Sequence, residues 1–328
     1  MSLILGIETS CDETAAAIVE DGRKVLSSRV HSQTEIHEQF GGVVPEVAAR
    51  YHLESINKII DQAIEAAGVS RVDLTAIACA NGPGLIGTLL VGLSAAKAMS
   101  WAWSLPLLTV DHLLAHVCAN YIDSELEPPF VCLLVSGGHT QLLHFDDYEV
   151  SRLMGETLDD AAGEAYDKVA RLLALGYPGG PAIDRISANG NPRAYRFPEG
   201  VVDNYNFSFS GLKTAVLRTV EKIEKPLSEE AADLAASFQD AVNRVLFKKT
   251  VAAAIASGVK QIVLAGGVAA NTDLRSRFDA LDDLSVFMPS LRYCTDNAAM
   301  VAAAAHFMGV KADLSASVYS RSKKKTAS

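Results

Sequence analysis

No two cysteines in this 328-residue chain stand in Cys-x-x-Cys spacing, which excludes a thiolate zinc site of that type and a redox dithiol motif. The five present, Cys11, Cys79, Cys118, Cys132 and Cys294, are odd in number and scattered. A disulfide framework is therefore not indicated, and reduced, mostly buried thiols are expected. Positive charge is also in short supply: 29 Lys and Arg against 39 Asp and Glu leave a net charge of −10. That balance is unfavourable for a protein gripping a polyanion unaided, so a nucleic-acid substrate would need a local basic patch or a partner protein. An uninterrupted apolar run of membrane-spanning length is missing too. The stretch from Leu85 to Val110 is broken by Lys97 and Pro106, which favours a buried helix followed by a strand. The start, Met1 to Gly6, has neither the basic residues nor the small-residue cleavage site of an export signal, and an acid follows at Glu8. A cytoplasmic protein without a membrane anchor is expected.

What is present reads as α/β. Apolar residues make up 49% of the chain, ample for a core, and the length favours two domains over one. Leu3 to Glu8, Thr14 to Glu20 and Lys24 to Val30 read as three consecutive strands, an antiparallel meander around the polar turn Thr9-Ser10-Cys11-Asp12-Glu13. Pro45 opens an amphipathic helix closed by Gly68. A strand at Ile77 to Ala80, a helix from Leu85 to Trp103, a strand at Leu107 to Val110 and a helix bearing His112 and His116 follow. The strand, polar turn, strand pattern returns at Val131 to Phe145 around Ser136-Gly137-Gly138-His139-Thr140, suggesting an internal duplication. Helices are expected at Leu158 to Leu175, Gly180 to Asn189, Gly211 to Ile223 and Ser228 to Ser257, and a strand at Gln261 to Ala265 runs into Gly266-Gly267 and another helix. The last helix is expected from Ala298 to Met308. Gly190 to Ser210 reads as a surface loop carrying Arg193 and Arg196, and the tail from Lys311 onward as frayed.

The most telling chemistry lies in His112-Leu113-Leu114-Ala115-His116. Residues four apart share a helical face, so both imidazoles can reach one metal. A zinc protease of the His-Glu-x-x-His type needs its glutamate to take a proton from water, and position 113 offers leucine. Eight histidines in 328 residues give roughly 0.2 such pairs by chance, so the pair alone is a weak signal. Asp296, before an alanine-rich helix, is by default a helix cap, yet with two histidines it would complete an open-faced set suited to ferrous iron or zinc. Glycine-rich turns at Asn81-Gly82-Pro83-Gly84, Ser136-Gly137-Gly138-His139 and Gly266-Gly267 let backbone amides approach a phosphate. None of them fits a P-loop or a Gly-x-Gly-x-x-Gly fingerprint. Asp167 and Asp184, near Tyr177-Pro178-Gly179-Gly180-Pro181, belong by default to solvated faces but could instead accept hydrogen bonds from a ribose.

Taken together, Gly6-Ile7-Glu8-Thr9-Ser10-Cys11-Asp12-Glu13-Thr14, Gly41-Gly42-Val43-Val44-Pro45-Glu46, Asn81-Gly82-Pro83-Gly84-Leu85, His112-x-x-x-His116, Leu134-Val135-Ser136-Gly137-Gly138-His139-Thr140, Asp160-Ala161-Ala162-Gly163-Glu164-Ala165, Tyr177-Pro178-Gly179-Gly180-Pro181, Phe207-Ser208-Phe209-Ser210-Gly211-Leu212-Lys213 and Cys294-Thr295-Asp296-Asn297 resemble the bacterial tRNA N6-adenosine threonylcarbamoyltransferase family over nearly the whole chain. The resemblance implies two related RNase H-like α/β lobes of the actin, Hsp70 and sugar-kinase type around a central cleft. The expected division is a lobe at 1–128 completed by 297–328, and a second lobe at 129–296.

It further implies transfer of the threonylcarbamoyl group from threonylcarbamoyl-AMP to N6 of adenosine 37 in tRNAs reading codons that begin with A, with release of AMP. By motif, His112, His116 and Asp296 would hold a metal, iron with zinc as a substitute. Val135, Ser136, Gly137, Gly138 and His139 would cradle the substrate, and Asp167, Gly180, Asp184 and Asn271 would hold the nucleoside. Asp12 and Glu13 are expected near the transferred group or a magnesium ion. Where the family often carries a further histidine, this chain has Asp111. The implied partners are tRNA, a catalytically degenerate paralogue docking on the first lobe, a small P-loop ATPase and the synthase that supplies threonylcarbamoyl-AMP. Arg185, Arg193, Arg196, Lys213 and the Arg321 to Lys325 tail are candidate phosphate contacts. The competing readings are an ATP-dependent kinase or ATPase on the same fold, a metalloendopeptidase, which Leu113 argues against, and a non-catalytic scaffold.

Overall fold

The computed structural model describes residues 1–148, 151–200 and 202–321. The chain divides into two compact units, the first made of Met1–Leu126 with Thr295–Ser328 and the second of Glu127–Cys294. These boundaries fall two residues before the expected ones at both crossings, so Asp296 belongs with the first unit.

In the first unit β1 (Leu3–Glu8), β2 (Glu13–Glu20) and β3 (Lys24–Ser32) form the antiparallel meander, followed by a short α1 (Thr34–Glu38). The long helix α2 (Pro45–Ala67) has proline in its first turn, where no amide partner is lost, and stops at Gly68 in the left-handed region. Then come β4 (Ala76–Gly82), α3 (Ile86–Trp103), β5 (Leu107–Asp111) and α4 (His112–Cys118). β1, β4 and β5 run parallel, and together these strands give the order β5-β4-β1-β2-β3. Leu5, Ile7, Ile18, Ile60 and Ile77 fill the core against α2.

The second unit repeats that design. Its meander is β6 (Phe130–Val135), β7 (Thr140–Phe145) and β8 (Ser151–Glu156). Helices α5 (Ala162–Leu172), α6 (Gly179–Ser187), α7 (Ser210–Val220) and α8 (Leu227–Ser257) follow, then β9 (Gln261–Ala265), α9 (Thr272–Asp279) and β10 (Ser285–Phe287). With β6, β9 and β10 parallel, the order β10-β9-β6-β7-β8 matches the five strands β5-β4-β1-β2-β3 of the first sheet. The duplication suggested by two similar hairpins is thus a repeat of whole-sheet topology. Its core includes Leu133, Tyr166, Phe207, Phe238 and Leu264.

The chain returns to the first unit with α10 (Ala298–Met308) and β11 (Val310–Ala312), which pairs with the outer side of β5. Every residue of α10 from Ala298 to Ala305 is buried. Gly6 shows why so small a helix suits the place: a Cβ there would strike the Ala298 carbonyl and lie 2.9 Å from the Ala302 amide. Helix backbone therefore packs directly on β1.

Several expectations need correction. The tail is not frayed from Lys311. β11 continues the sheet, the Tyr319 amide donates to the Asn81 carbonyl (3.0 Å), and Lys97 Nζ donates to the Ala316 carbonyl (2.6 Å). Residues 322–328, including most of the basic tail, lie outside the described residues. Helix α5 begins at Ala162 rather than Leu158, because the two acids before it are occupied elsewhere. Asp159 accepts from the amide of Phe209 (2.8 Å) and the hydroxyl of Ser208 (2.5 Å), and Asp160 pairs with Lys168 (2.9 Å). Sequence periodicity also missed α1, β8, β10 and β11, each short or lacking alternation. Between Gly190 and Phe209, no helix or strand element occurs among the described residues.

Candidate metal centre

Helix α4 starts immediately after β5, and its first residue is His112. Asp111 is the N-cap, accepting from the amides of Leu113 (2.9 Å) and Leu114 (3.1 Å), so it orients the helix that carries both histidines. Its other oxygen accepts from the Tyr319 hydroxyl (2.8 Å). The aspartate standing where the family often has histidine thus ties the docked tail to the start of α4.

One helical turn separates His112 from His116, and their rings meet edge to face at 4.8 Å. Both Nε2 atoms point at a single oxygen, Asp296 Oδ1, from 3.6 Å for His112 and 3.2 Å for His116. Asp296 is presented just ahead of α10, whose N-cap Asn297 accepts from the Met300 amide at 2.9 Å. Two donors each about 2.1 Å from a tetrahedral ion would lie about 3.4 Å apart, and the observed separations straddle that value. The three donor atoms all lie within 4.8 Å of one another. Two imidazole nitrogens and one carboxylate make a mixed donor set that suits a borderline divalent ion such as iron or zinc.

Behind His112 stands Glu8, fully buried, with Oε2 3.1 Å from His112 Nδ1 and Oε1 accepting the Ser10 amide. A proton held on Nδ1 by that carboxylate leaves the Nε2 lone pair free for an ion. Burial opposes charge on His112, but Glu8 and Asp296 outweigh it and push the imidazole up to about 9. Burial likewise resists the charge on Asp296, and the two histidines overcome it, holding the acid down to about 2. The two shifts are the two sides of one pairing: the carboxylates of Glu8 and Asp296 favour charged imidazoles, and the imidazoles favour an ionised Asp296. His116 Nδ1 is buried without a hydrogen-bond partner.

Asp12 and Glu13 lie at the end of the β1–β2 turn. Burial, then Asp296 and Asp12, push the Glu13 carboxyl up to about 9. The turn is held from below by His52, whose Nε2 donates to the Cys11 carbonyl at 3.0 Å. Leu113 is buried, so no acid–base group stands between the two histidines. The free thiols are as expected, four buried and Cys11 half-buried.

The remaining expected residues are in the second unit, in two groups. Ser136 to His139 form the β6–β7 turn. The Ser136 amide closes it on the His139 carbonyl (2.8 Å), and the His139 amide donates to Ser136 Oγ (3.2 Å). Gly137 and Gly138 are exposed, with open space where a Cβ would sit, whereas the Val135 side chain is buried in the core. In the other group, Asp167 accepts from the Gly179 amide (2.8 Å), raised by burial despite the amides of Gly179 and Gly180. Asp184 accepts from Asn271 Nδ2 (3.1 Å) and Thr272 Oγ1 (2.8 Å), and Asn271 caps α9 by accepting from the Leu274 amide (2.9 Å). These acids already serve as joints between helices. Lys213 is paired with Asp160 (3.4 Å), while Arg185, Arg193 and Arg196 are exposed.

Glu8 and the capping Asp111 were missed as site residues by sequence reasoning. The signal for Glu8 was a lone carboxylate ending the otherwise apolar strand Leu3-Ile4-Leu5-Gly6-Ile7.

No helix among the described residues is long and apolar enough to cross a membrane. Among solved structures, full-length HypF in its phosphate- and nucleotide-bound form is similar at a TM-score of 0.62 and 14% identity, over 93% of this chain but 46% of that one. Component A of (R)-2-hydroxyglutaryl-CoA dehydratase from Acidaminococcus fermentans aligns at 0.54 and 14% identity, over 93% of this chain and 98% of that one. These likenesses concern the fold, which with its repeated sheet is of the actin, Hsp70 and sugar-kinase type. Curated relatives match far more closely in sequence. A tRNA N6-adenosine threonylcarbamoyltransferase of Caldicellulosiruptor bescii is 52% identical over 93% of this chain and 92% of its own length. That of Symbiobacterium thermophilum is 51% identical over 95% and 94%. The model of the tRNA N6-adenosine threonylcarbamoyltransferase family matches residues 24–303, and the chain belongs to that family.

Proposed function

We propose that this chain transfers the threonylcarbamoyl group of threonylcarbamoyl-AMP to N6 of adenosine 37 in tRNAs reading codons that begin with A. Membership of the family over residues 24–303 carries the reading. In the reaction the N6 amine attacks the carbamoyl carbon, the bond from that carbon to the phosphate oxygen breaks, AMP leaves and the amine loses a proton. An exocyclic amine is a poor nucleophile because its lone pair is delocalised into the ring, so the acyl group must arrive as a mixed anhydride. The protein's contribution is positioning and stabilisation of developing charge.

His112 Nε2, His116 Nε2 and Asp296 Oδ1 would hold iron, with zinc as a substitute. Such an ion supplies Lewis-acid polarisation and an anchor for phosphate or carbonyl oxygens. Glu8 keeps the proton of His112 on Nδ1 and fixes the ring. Burial, with the carboxylates of Asp296 and Asp12, favours the neutral form of Glu13, which would donate a hydrogen bond to an oxygen of the donor or of a magnesium-bound phosphate. In the second unit Gly137 and Gly138, exposed residues with open space where a Cβ would sit, are the members of the Val135 to His139 turn suited to a phosphate. Asp184 and Asn271 remain the groups for a ribose, with Asp167 setting the Gly179–Gly180 turn. The family resemblance adds a degenerate paralogue on the first unit, a small P-loop ATPase and a synthase as donor supplier, all in the cytoplasm.

The test is nucleoside mass spectrometry on unmodified tRNA incubated with metal-loaded protein, its partners and threonylcarbamoyl-AMP. Wild type is expected to form N6-threonylcarbamoyladenosine and His112→Ala to form none. No modified nucleoside from wild type would end the proposal.

A further inference from the structure

The second unit contains a cavity of about 580 Å³ between the segment after α6 and the middle of α8. Arg193, Arg196, Arg244 and Lys248 line it, with Glu199 and Asp240 as its acids. The acids are already matched. Glu199 binds Arg244 Nε (2.5 Å) and Lys248 (3.2 Å), and Asp240 binds Arg244 (2.8 Å) and Arg277 (2.7 Å). Arg193 and Arg196 are different: each is exposed, and neither guanidinium has a partner among the described residues. In a chain with a net charge of −10, two unmatched guanidinium groups over one cavity are a local reversal of sign.

The segment that presents them is held in place. The Asn191 amide donates to Asp233 Oδ1 (2.7 Å), the Tyr195 amide to Ser237 Oγ (3.1 Å), and Ser237 Oγ in turn to the Asn191 carbonyl (3.2 Å). Tyr195 also bonds Glu230 through its hydroxyl (2.7 Å) and stacks on the buried Phe197 at 17°. Two arginines three apart on a fixed segment, with no carboxylate to satisfy, suit oxyanions presented in series.

The geometry points to this cavity as a phosphate subsite that takes the backbone of the RNA substrate through Arg193 and Arg196. It rests on the proposed function for the identity of the RNA. Backbone phosphates supply affinity and register without sequence information, and here they would supply the grip that the overall charge denies.

The experiment measures binding of fluorescently labelled unmodified tRNA to the full chain with its partners, across a salt series. R193A/R196A is compared with K222A/K260A, which removes the same charge from exposed positions of the second unit outside the cavity. The expected result is about tenfold weaker binding for R193A/R196A and a log K against log salt slope shallower by about 1 to 2, since each phosphate contact contributes roughly 0.7–0.9. K222A/K260A should bind as wild type does. The subsite would be overturned by equal losses in both variants, which mean net charge alone, or by an unchanged slope in R193A/R196A. It would equally be overturned if that variant kept tRNA affinity and lost binding of AMP or inorganic phosphate. Because binding is read separately from nucleoside formation, wild type that binds through these arginines without modifying tRNA would count against the proposed function and not against the subsite.

Discussion

Glu8 and His112 are joined by a 3.1 Å contact between Oε2 and Nδ1, with the carboxylate completely buried at the end of β1. A buried carboxylate is costly unless it is paired and hydrogen-bonded. Glu8 meets both conditions, with the imidazole on one oxygen and the Ser10 amide on the other. This contact decides which nitrogen of His112 faces Asp296.

Glu8→Gln should keep the shape and reverse that choice. An amide –NH₂ facing Nδ1 cannot accept its proton, so the ring must change tautomer or turn. Metal affinity is expected to fall about 10- to 100-fold, as outer-shell substitutions typically do, with circular dichroism unchanged. Chelator competition measures it, and unaltered affinity would reduce Glu8 to a packing residue.

Removing a donor atom or the charge on one should cost more. His116→Ala or Asp296→Asn is expected to weaken binding beyond the roughly 100-fold upper range of outer-shell changes. Stripping wild type with a chelator should abolish nucleoside formation, and adding ferrous iron or zinc back should restore it. Full activity in thoroughly stripped protein would remove the metal from the reaction.

The histidine pair was legible because helical spacing is a local property: residues 112 and 116 share a face whatever surrounds them. Asp296 was not legible in that sense. Its carboxylate meets them because β1 packs on α10, a contact between residues almost 300 apart; donor chemistry alone named the three as a possible set, and only the family resemblance placed them together. Glu8 ends an apolar strand, where alternation says nothing about a polar partner across the unit. Long helices such as α2 and α8 were visible from the sequence, α2 also through its glycine stop, whereas three-residue strands such as β10 and β11 owe their existence to an existing sheet edge. The docking of Tyr319 against Asp111 falls in a Ser/Lys-rich tail whose composition suggests only solvent.

Gly6→Ala tests the backbone contact on which Asp296 depends. The new methyl group would overlap the Ala298 carbonyl and crowd the Ala302 amide, and neither can move without shifting α10. A loss of about 1–3 kcal/mol is expected, the usual cost of overpacking, together with weaker metal binding. Chemical denaturation and chelator competition on the same sample check both. Destabilisation without any loss of metal affinity would show that α10 shifts without carrying Asp296 along.

His52 should make the β1–β2 turn sensitive to acid. Its Nε2 donates to the Cys11 carbonyl, its Nδ1 lies 2.7 Å from Thr14 Oγ1, and the ring is completely buried. Burial lowers its pKa, more than Glu8 and Asp12 and the Cys11 carbonyl can restore. In the unfolded chain the group titrates near 6.5, so between that value and the lower folded one the unfolded state binds more protons. Its contribution is then fully present above about 6.5 and is lost as pH falls towards the folded pKa. Urea unfolding of wild type and His52→Gln at pH 7.5 and 5.5 isolates this group, because other titrations cancel in the difference. Wild type should lose more stability on acidification than the variant, and parallel losses would mean that His52 is protonated as readily in the folded protein as in the unfolded chain.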